Sequence, residues 1–376
     1  MGDNQSHWQD YNSATLLEEY HTPNGRCFYF PKTKTTFSKT AIPLPIFKFY
    51  NIPIPIKQSN IMNRITQILN IKHPIVQAPM SWLTDAHLVA SVANAGGLGF
   101  LAPHAGQTTN PSSNQEVLER MRNEIRKVKA LTDKPFGVPF MLSYDLSLIP
   151  LMVDLLIDES VPVVLDNGWL DPAIYAKLKT AGIKIICRLP NPNLTDALKA
   201  QKLGADILVL TGFDEGGTLP MKEVGSFSVL AEFVGKVDLP IMLAGGIGDK
   251  KAVQASMLLG AEGVWVGTAF IATTECRSHQ KVKEWIVNAT ANDLLLFRTE
   301  PYYYRSLPTT LAKKCFELSE NGASRSEIAV VMNAGTGMRL GMLEGDFDNG
   351  YVSVGTGISQ IDKIKSVKEL IDELMG

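Results

Sequence analysis

Two apolar runs end in glycine where a chain could grip a phosphate. Ile241 to Ala244 breaks into Gly245-Gly246, and Gly263 to Val266 breaks into Gly267-Thr268. A buried strand that ends in glycine leaves backbone N–H groups unpaired at one spot. Those donors, and the positive end of a helix opening there, suit a phosphate. Two such units in succession are what a (β/α)8 barrel uses after its seventh and eighth strands to hold a phosphorylated ligand. The chemistry implied is the anchoring of a phosphate-bearing cofactor.

The elements needed to position those turns recur along the chain. Short β-branched runs begin at Pro74, Gly97, Phe136, Val161, Lys184 and Asp206 and continue with Ile241 and Gly263. Helical patterns separate them: Thr84 to about Asn94, Asn114 to Leu131, and a helix opening at Asp171-Pro172, a good cap followed by proline in the first turn. Strands alternating with helices mean parallel strands joined by crossovers. Eight units predict an α/β fold of the TIM (β/α)8 barrel type, in preference to an open doubly wound sheet. Gly96-Gly97 reads as the turn that ends a helix and starts a strand. Beyond the eighth strand, Ser278 to Thr290, Pro308 to Asn321 and Ser366 to Met375 read as helices. The expected organisation is an extended N-terminal arm over 1–60 and a barrel over 61–376. A helical insertion at about 278–345 follows strand eight.

Composition bounds the function. The chain has 376 residues, 45% apolar and 20% charged, ordinary for an enzyme with a full core. A net charge of −2 without a basic block argues against nucleic acid or an anionic membrane as partner. Cys27, Cys187, Cys276 and Cys315 show no CxxC spacing, so neither a disulfide framework nor a metal site is expected, and a reducing, cytoplasmic location fits. No secretory signal is visible at the polar start, and no apolar run approaches the roughly 18 residues of a membrane helix. The arm carries prolines at alternate positions (Pro43, Pro45, Pro53, Pro55) among aromatics and isoleucines. It is expected to pack as an extended segment on the barrel or on a second copy in a homo-oligomer, or else to be a loose extension.

Five motifs carry a family resemblance: Pro74 to Met80, Ala95 to Leu101, Gly212 to Gly217, Ala244 to Ile247, and Leu259 to Phe270. Each is weak alone; five in order are specific. From about residue 62 onward the chain resembles the nitronate monooxygenases, a flavin-dependent family that includes flavin-type enoyl-ACP reductases. The resemblance implies FMN at the C-terminal mouth of the barrel and a small-molecule substrate. Ala78, Pro79 and Met80 would run along the flavin ring, Gly216 and Gly217 would leave room beside it, and Gly245, Gly246, Gly267 and Thr268 would hold the phosphate. Arg188, at the end of strand five, would face the flavin's pyrimidine end or else form a surface ion pair. Any NAD(P)H would act transiently over the flavin, since no Rossmann GxGxxG unit is evident.

Two departures matter. Pro139 stands near where the family commonly has asparagine, so that contact is absent or replaced, with Ser143 as a candidate. Thr218 stands where the family has a histidine that serves as base or orients substrate. Threonine takes up no proton near neutral pH. Asp214, Glu215 or His104 could assume the role, or the chemistry needs no strong base; Asp214 could equally be structural. Tyr302 to Arg305 face substrate or pack as a loop. Three functions follow: oxidation of nitronates with oxygen, NAD(P)H-dependent reduction of an enoyl thioester, or flavin binding without catalysis inside a larger assembly. A purine-nucleotide dehydrogenase reading would need a nucleophilic cysteine after a mid-barrel strand; Cys187 lies within strand five.

Overall fold

The computed structural model describes residues 63–142 and 145–376, with the backbone of Leu17–His21 and Cys27–Pro31, which pair as an antiparallel hairpin. The proline-alternating segments of the arm and Ser143 lie outside the described residues. Residues 60–376 form one compact unit, separate from 1–59.

Eight short strands make the barrel: β1 (Ile75–Gln77), β2 (Leu98–Gly99), β3 (Gly137–Pro139), β4 (Val163–Asp166), β5 (Lys184–Leu189), β6 (Ile207–Thr211), β7 (Ile241–Ala244) and β8 (Gly263–Val266). They are hydrogen-bonded in the order β2-β1-β8-β7-β6-β5-β4-β3, all parallel. A bridge between Phe100 and Gly137 joins β2 to β3, and Leu101 N–H donates to Gly137 O at 3.0 Å. A Cβ on Gly137 would sit 2.3 Å from the Phe100 ring, so glycine is what lets this last pair close.

Alternate strand residues divide the core in two. Val76, Leu98, Val163, Ile186, Val209, Met242 and Trp265 fill the barrel interior, while Ile75, Val138, Val164, Leu208, Leu243 and Val264 face the helix ring. Ile65 and Leu69 of the helix Arg64–Leu69 join the interior cluster and plug it near Gly263, at the start of β8. The helices open as their caps predict. Asp171 accepts from the N–H groups of Ala173 (2.7 Å) and Ile174 (3.1 Å), with Pro172 in the first turn. Gly96 has φ +94°, the left-handed turn expected between helix and strand.

The eighth helix of the ring comes late. The helix after β8, Thr268–Ile271, is a single turn. Its place is taken by Val367–Met375, which packs on the helices Ala86–Asn94 and Lys250–Leu258. Val367, Leu370, Ile371 and Leu374 recur at helical spacing and are buried, and Ser366 with Glu369 forms the capping box. Ile371 is fully buried. Ile371→Ala should therefore destabilise the protein by about 2–5 kcal/mol in denaturant unfolding.

The intervening segment is not purely helical, as the sequence had suggested. Helices Gln280–Asn288, Thr310–Glu320 and Arg325–Met332 are present. Between them lies an antiparallel hairpin, Leu295–Arg298 with Tyr303–Leu307. The second strand of that hairpin also pairs with Val352–Ser353 and with Gly217–Leu219 from the loop after β6. Phe297, Tyr304, Cys315, Ile328, Met332 and Tyr351 bury against one another there, a small core beside the barrel's own. Aromatic and branched residues favour strands once such a core exists to receive them. No described helix is long and apolar enough to cross a membrane, and no described cluster of His, Cys, Asp and Glu could hold a metal.

Candidate active site

The C-terminal ends of the strands and the added sheet enclose a cavity of about 680 Å³. Every residue expected to hold a flavin lines it: Ala78, Pro79 and Met80 after β1, Arg188 on β5, Gly216 and Gly217 after β6, Gly245 and Gly246 after β7, and Gly267 and Thr268 after β8.

The backbone explains the glycines. Gly245 has φ +102° and Gly246 φ +75°, conformations that side chains rarely adopt. A Cβ on Gly245 would lie 2.7 Å from Ser226 Oγ, and one on Gly216 would lie 2.3 Å from the carbonyl carbon of Val354. The Gly246, Gly267 and Thr268 N–H groups meet no protein acceptor among the described residues. Thr268 Oγ1 accepts from Gly355 N–H at 2.9 Å, which leaves its own hydrogen to donate. This cradle depends on amides more than on helix dipoles. The helix at Thr268 is one turn, and the helix after β7 begins only at Lys250, where Asp249 caps it.

The β1 edge is held from behind. Gln77 is fully buried; its amide donates to Ala78 O, and its carbonyl accepts from Phe100 N–H at 3.1 Å. This fixes the turn into Ala78-Pro79-Met80. Pro139 lines the wall beside Met141 and supplies no donor, as expected from its type.

The acid–base candidates separate clearly. Thr218 lies on Gly217–Leu219, lines the cavity and is exposed. Asp214 also lines the cavity, but its carboxylate is occupied. It accepts from Ser226 N–H (2.6 Å), at the start of the helix Ser226–Phe233, and from the Thr356 hydroxyl (3.3 Å). These bonds tie the loop to the helix Ser226–Phe233 and to Thr356. His104 is not brought to the cavity. With φ +60° it stacks on Trp82, ring centroids 4.0 Å apart, and its neighbour Pro103 forms the wall instead. Burial, and secondarily Arg120, hold its imidazole below the ordinary value.

Arg188 is neither a surface ion pair nor an unpaired charge. Its Nη2 donates to Glu215 Oε2 at 2.6 Å, and the two side chains are 18% and 15% exposed within the cavity wall. Burial pushes the Glu215 carboxyl up; Arg188 and Arg305 pull it down without cancelling that effect. The 27-residue separation of Arg188 from Glu215 gave no local signal of the pairing.

Arg305, left open by the sequence, is a buried anchor. Its Nη1 donates to Phe213 O and Glu215 O, each at 2.6 Å, and its guanidinium lies 5.3 Å from the Phe213 ring centre. Of the neighbouring tyrosines, Tyr302 and Tyr304 line the cavity, whereas Tyr303 packs edge-on against Phe213. Cys187 is buried beside Asp166 and Tyr175, and burial pushes its thiol up to about 12, the opposite of an activated nucleophile.

Comparison with known proteins agrees with this arrangement. The family description "Nitronate monooxygenase" matches residues 62–150 and 151–376. The (3aS,4S,5R,7aS)-5-hydroxy-7a-methyl-1-oxo-octahydro-1H-indene-4-carboxyl-CoA dehydrogenase of Rhodococcus jostii (strain RHA1) is 30% identical, across 84% of this chain and 96% of the relative. A probable nitronate monooxygenase of Staphylococcus aureus (strain JH9) is 32% identical over 62% of this chain and 74% of its own. The solved structure of FabK from Thermotoga maritima superposes with a TM-score of 0.72 at 31% identity, covering 83% of this chain and 94% of that one. Matched over residues 62–150 and 151–376, with four of the five motifs contributing residues to one cavity, the chain belongs to the nitronate monooxygenase family.

Proposed function

We propose that the protein is an FMN-dependent oxidoreductase of the nitronate monooxygenase type, oxidising nitronates or related small substrates with oxygen. The observation that carries the reading is the amide cradle at Gly245, Gly246, Gly267 and Thr268, set at one end of a cavity that continues past Ala78-Pro79-Met80. The residues fit the group. Glycines without Cβ admit a phosphate to main-chain N–H groups, the Thr268 hydroxyl adds a donor, and the β1 edge offers backbone to a flat ring. FMN, when bound, would supply the two-electron chemistry. Gly216 lets the Val354–Gly355 backbone approach where a side chain would collide, and the added sheet contributes Thr218, Tyr302 and Tyr304 to the wall. Nitronates are already anions, so their oxidation requires no base at Thr218.

A second reading is an NAD(P)H-dependent enoyl-thioester reductase. It is favoured by the relative of nearly equal length that carries a carboxyl-CoA dehydrogenase name. The apolar wall of Met338, Met342 and Tyr302 suits an acyl chain. Purified protein should show flavin absorption and release FMN on denaturation. Turnover of a nitronate with oxygen, compared with crotonyl thioester plus NADH or NADPH, separates the two readings. A protein unable to bind FMN on reconstitution would sink both.

A further inference from the structure

The cavity carries one carboxylate that the proposed function has not used. Among the described residues, the ionisable groups on its wall are Arg188, Asp214, Glu215, Tyr302 and Tyr304. Asp214 is tied to Ser226 and Thr356, and the Tyr304 hydroxyl is shared with Ser353 Oγ. A neutral phenol still carries its own proton and offers no base. Glu215 differs from all of these. Its Oε2 holds Arg188, while no described residue donates to its Oε1. Its backbone is fixed on both sides: Glu215 N–H donates to Gly212 O at 3.3 Å, and Glu215 O accepts from Arg305 at 2.6 Å. A carboxylate with one oxygen anchored, one free, and a rigid backbone is what a positioned base requires.

We propose that Glu215 is the base of this site for neutral carbon acids, removing the proton from a carbon that bears a nitro group. The inference rests on the flavin-oxidoreductase reading and extends it from nitronates to their neutral parents. In the step, the substrate C–H bond breaks, the proton bonds to Oε1, and the electron pair moves into the nitro group to give the nitronate. No oxidant is consumed. Arg188 remains on Oε2 and keeps a positive charge beside the new anion. The nitronate formed is then the species that the site oxidises. Thr218, with no basic nitrogen, would be relieved of the task by a carboxylate three residues earlier.

The pH dependence follows. Burial raises the Glu215 carboxyl above its ordinary value, and Arg188 on β5 and Arg305 on the added sheet moderate that rise; the charge of Asp214, in the same loop, acts on Arg305. A base must be ionised to act. Proton removal should therefore be lost as pH falls through this raised value, earlier than for an ordinary glutamate.

The test uses the FMN-loaded enzyme with nitroethane in anaerobic D2O, following hydrogen–deuterium exchange at the α-carbon by NMR. Exchange reads proton removal without any oxidation. Wild type should exchange above the buffer rate, with an acid limb set by Glu215. Glu215→Gln should slow exchange by about 100- to 10,000-fold and erase that limb. Glu215→Asp should recover part of the rate and keep a limb. With oxygen admitted, the ratio of nitroethane to nitronate turnover should also fall in the Gln variant. Exchange by Glu215→Gln at the wild-type rate, or no exchange by wild type, overturns the proposal. Failure of wild type to bind FMN or to oxidise nitronate instead overturns the underlying reading, so the two failures are distinct.

Discussion

Gly246→Val is expected to give folded protein without flavin. Gly246 sits at φ +75°, and a Cβ there would lie 3.2 Å from Asp214 Cβ. A branched side chain at positive φ adds strain of about 1–3 kcal/mol. That is less than the roughly 5–15 kcal/mol stability of an ordinary domain, so the barrel should survive. The side chain would intrude beside the Gly246 and Thr268 amides proposed to hold the cofactor's phosphate. Gly182→Val provides the control: Gly182 has φ +74° and nothing within 4 Å of a Cβ, so it carries similar strain without touching the cavity. Circular dichroism and bound flavin per chain check both variants. Full flavin content in Gly246→Val would place the phosphate elsewhere.

Arg305→Met is expected to loosen the loop from Phe213 to Gly217 and to lower global stability by about 2–4 kcal/mol. Methionine keeps the apolar stem but leaves the Phe213 and Glu215 carbonyls without the guanidinium that bridges them. Because Tyr303–Leu307 pairs with Gly217–Leu219, the backbone ladder should persist while its anchor is lost. Amide hydrogen exchange at Glu215 to Gly217 should accelerate well beyond that at β7 and β8. Unchanged protection in that loop would show that the ladder alone holds it.

All eight barrel strands were legible in the sequence because a parallel strand buried on both faces leaves a short, nearly continuous apolar run. The helix Asn114–Leu131 was legible to the residue, since its polar face and periodicity are both strong. The cavity glycines were legible too: Gly216, Gly245 and Gly246 mark places where a positive φ or a close neighbour leaves little room for a side chain. The hairpin at Leu295–Leu307 was not. Its strands gain stability from Val352–Ser353 and Gly217–Leu219, distant in sequence, so no local pattern distinguishes them from loop. The partnership of Arg188 with Glu215 and the anchoring by Arg305 were hidden likewise, because a long-range ion pair has no periodicity. His104 misled, since its position after β2 suggested the mouth while its positive φ and the Trp82 ring turn it aside.

The late helix Val367–Met375 has a consequence for synthesis. While the polypeptide is still emerging from the ribosome, the first and seventh helices flank a bare groove that nothing nearby in sequence can fill. The growing chain must translate the whole segment from Thr268 to Ser366 before that groove is sealed. Until then, its apolar lining is available to chaperones, and a stalled or shortened transcript would leave a barrel open along one seam.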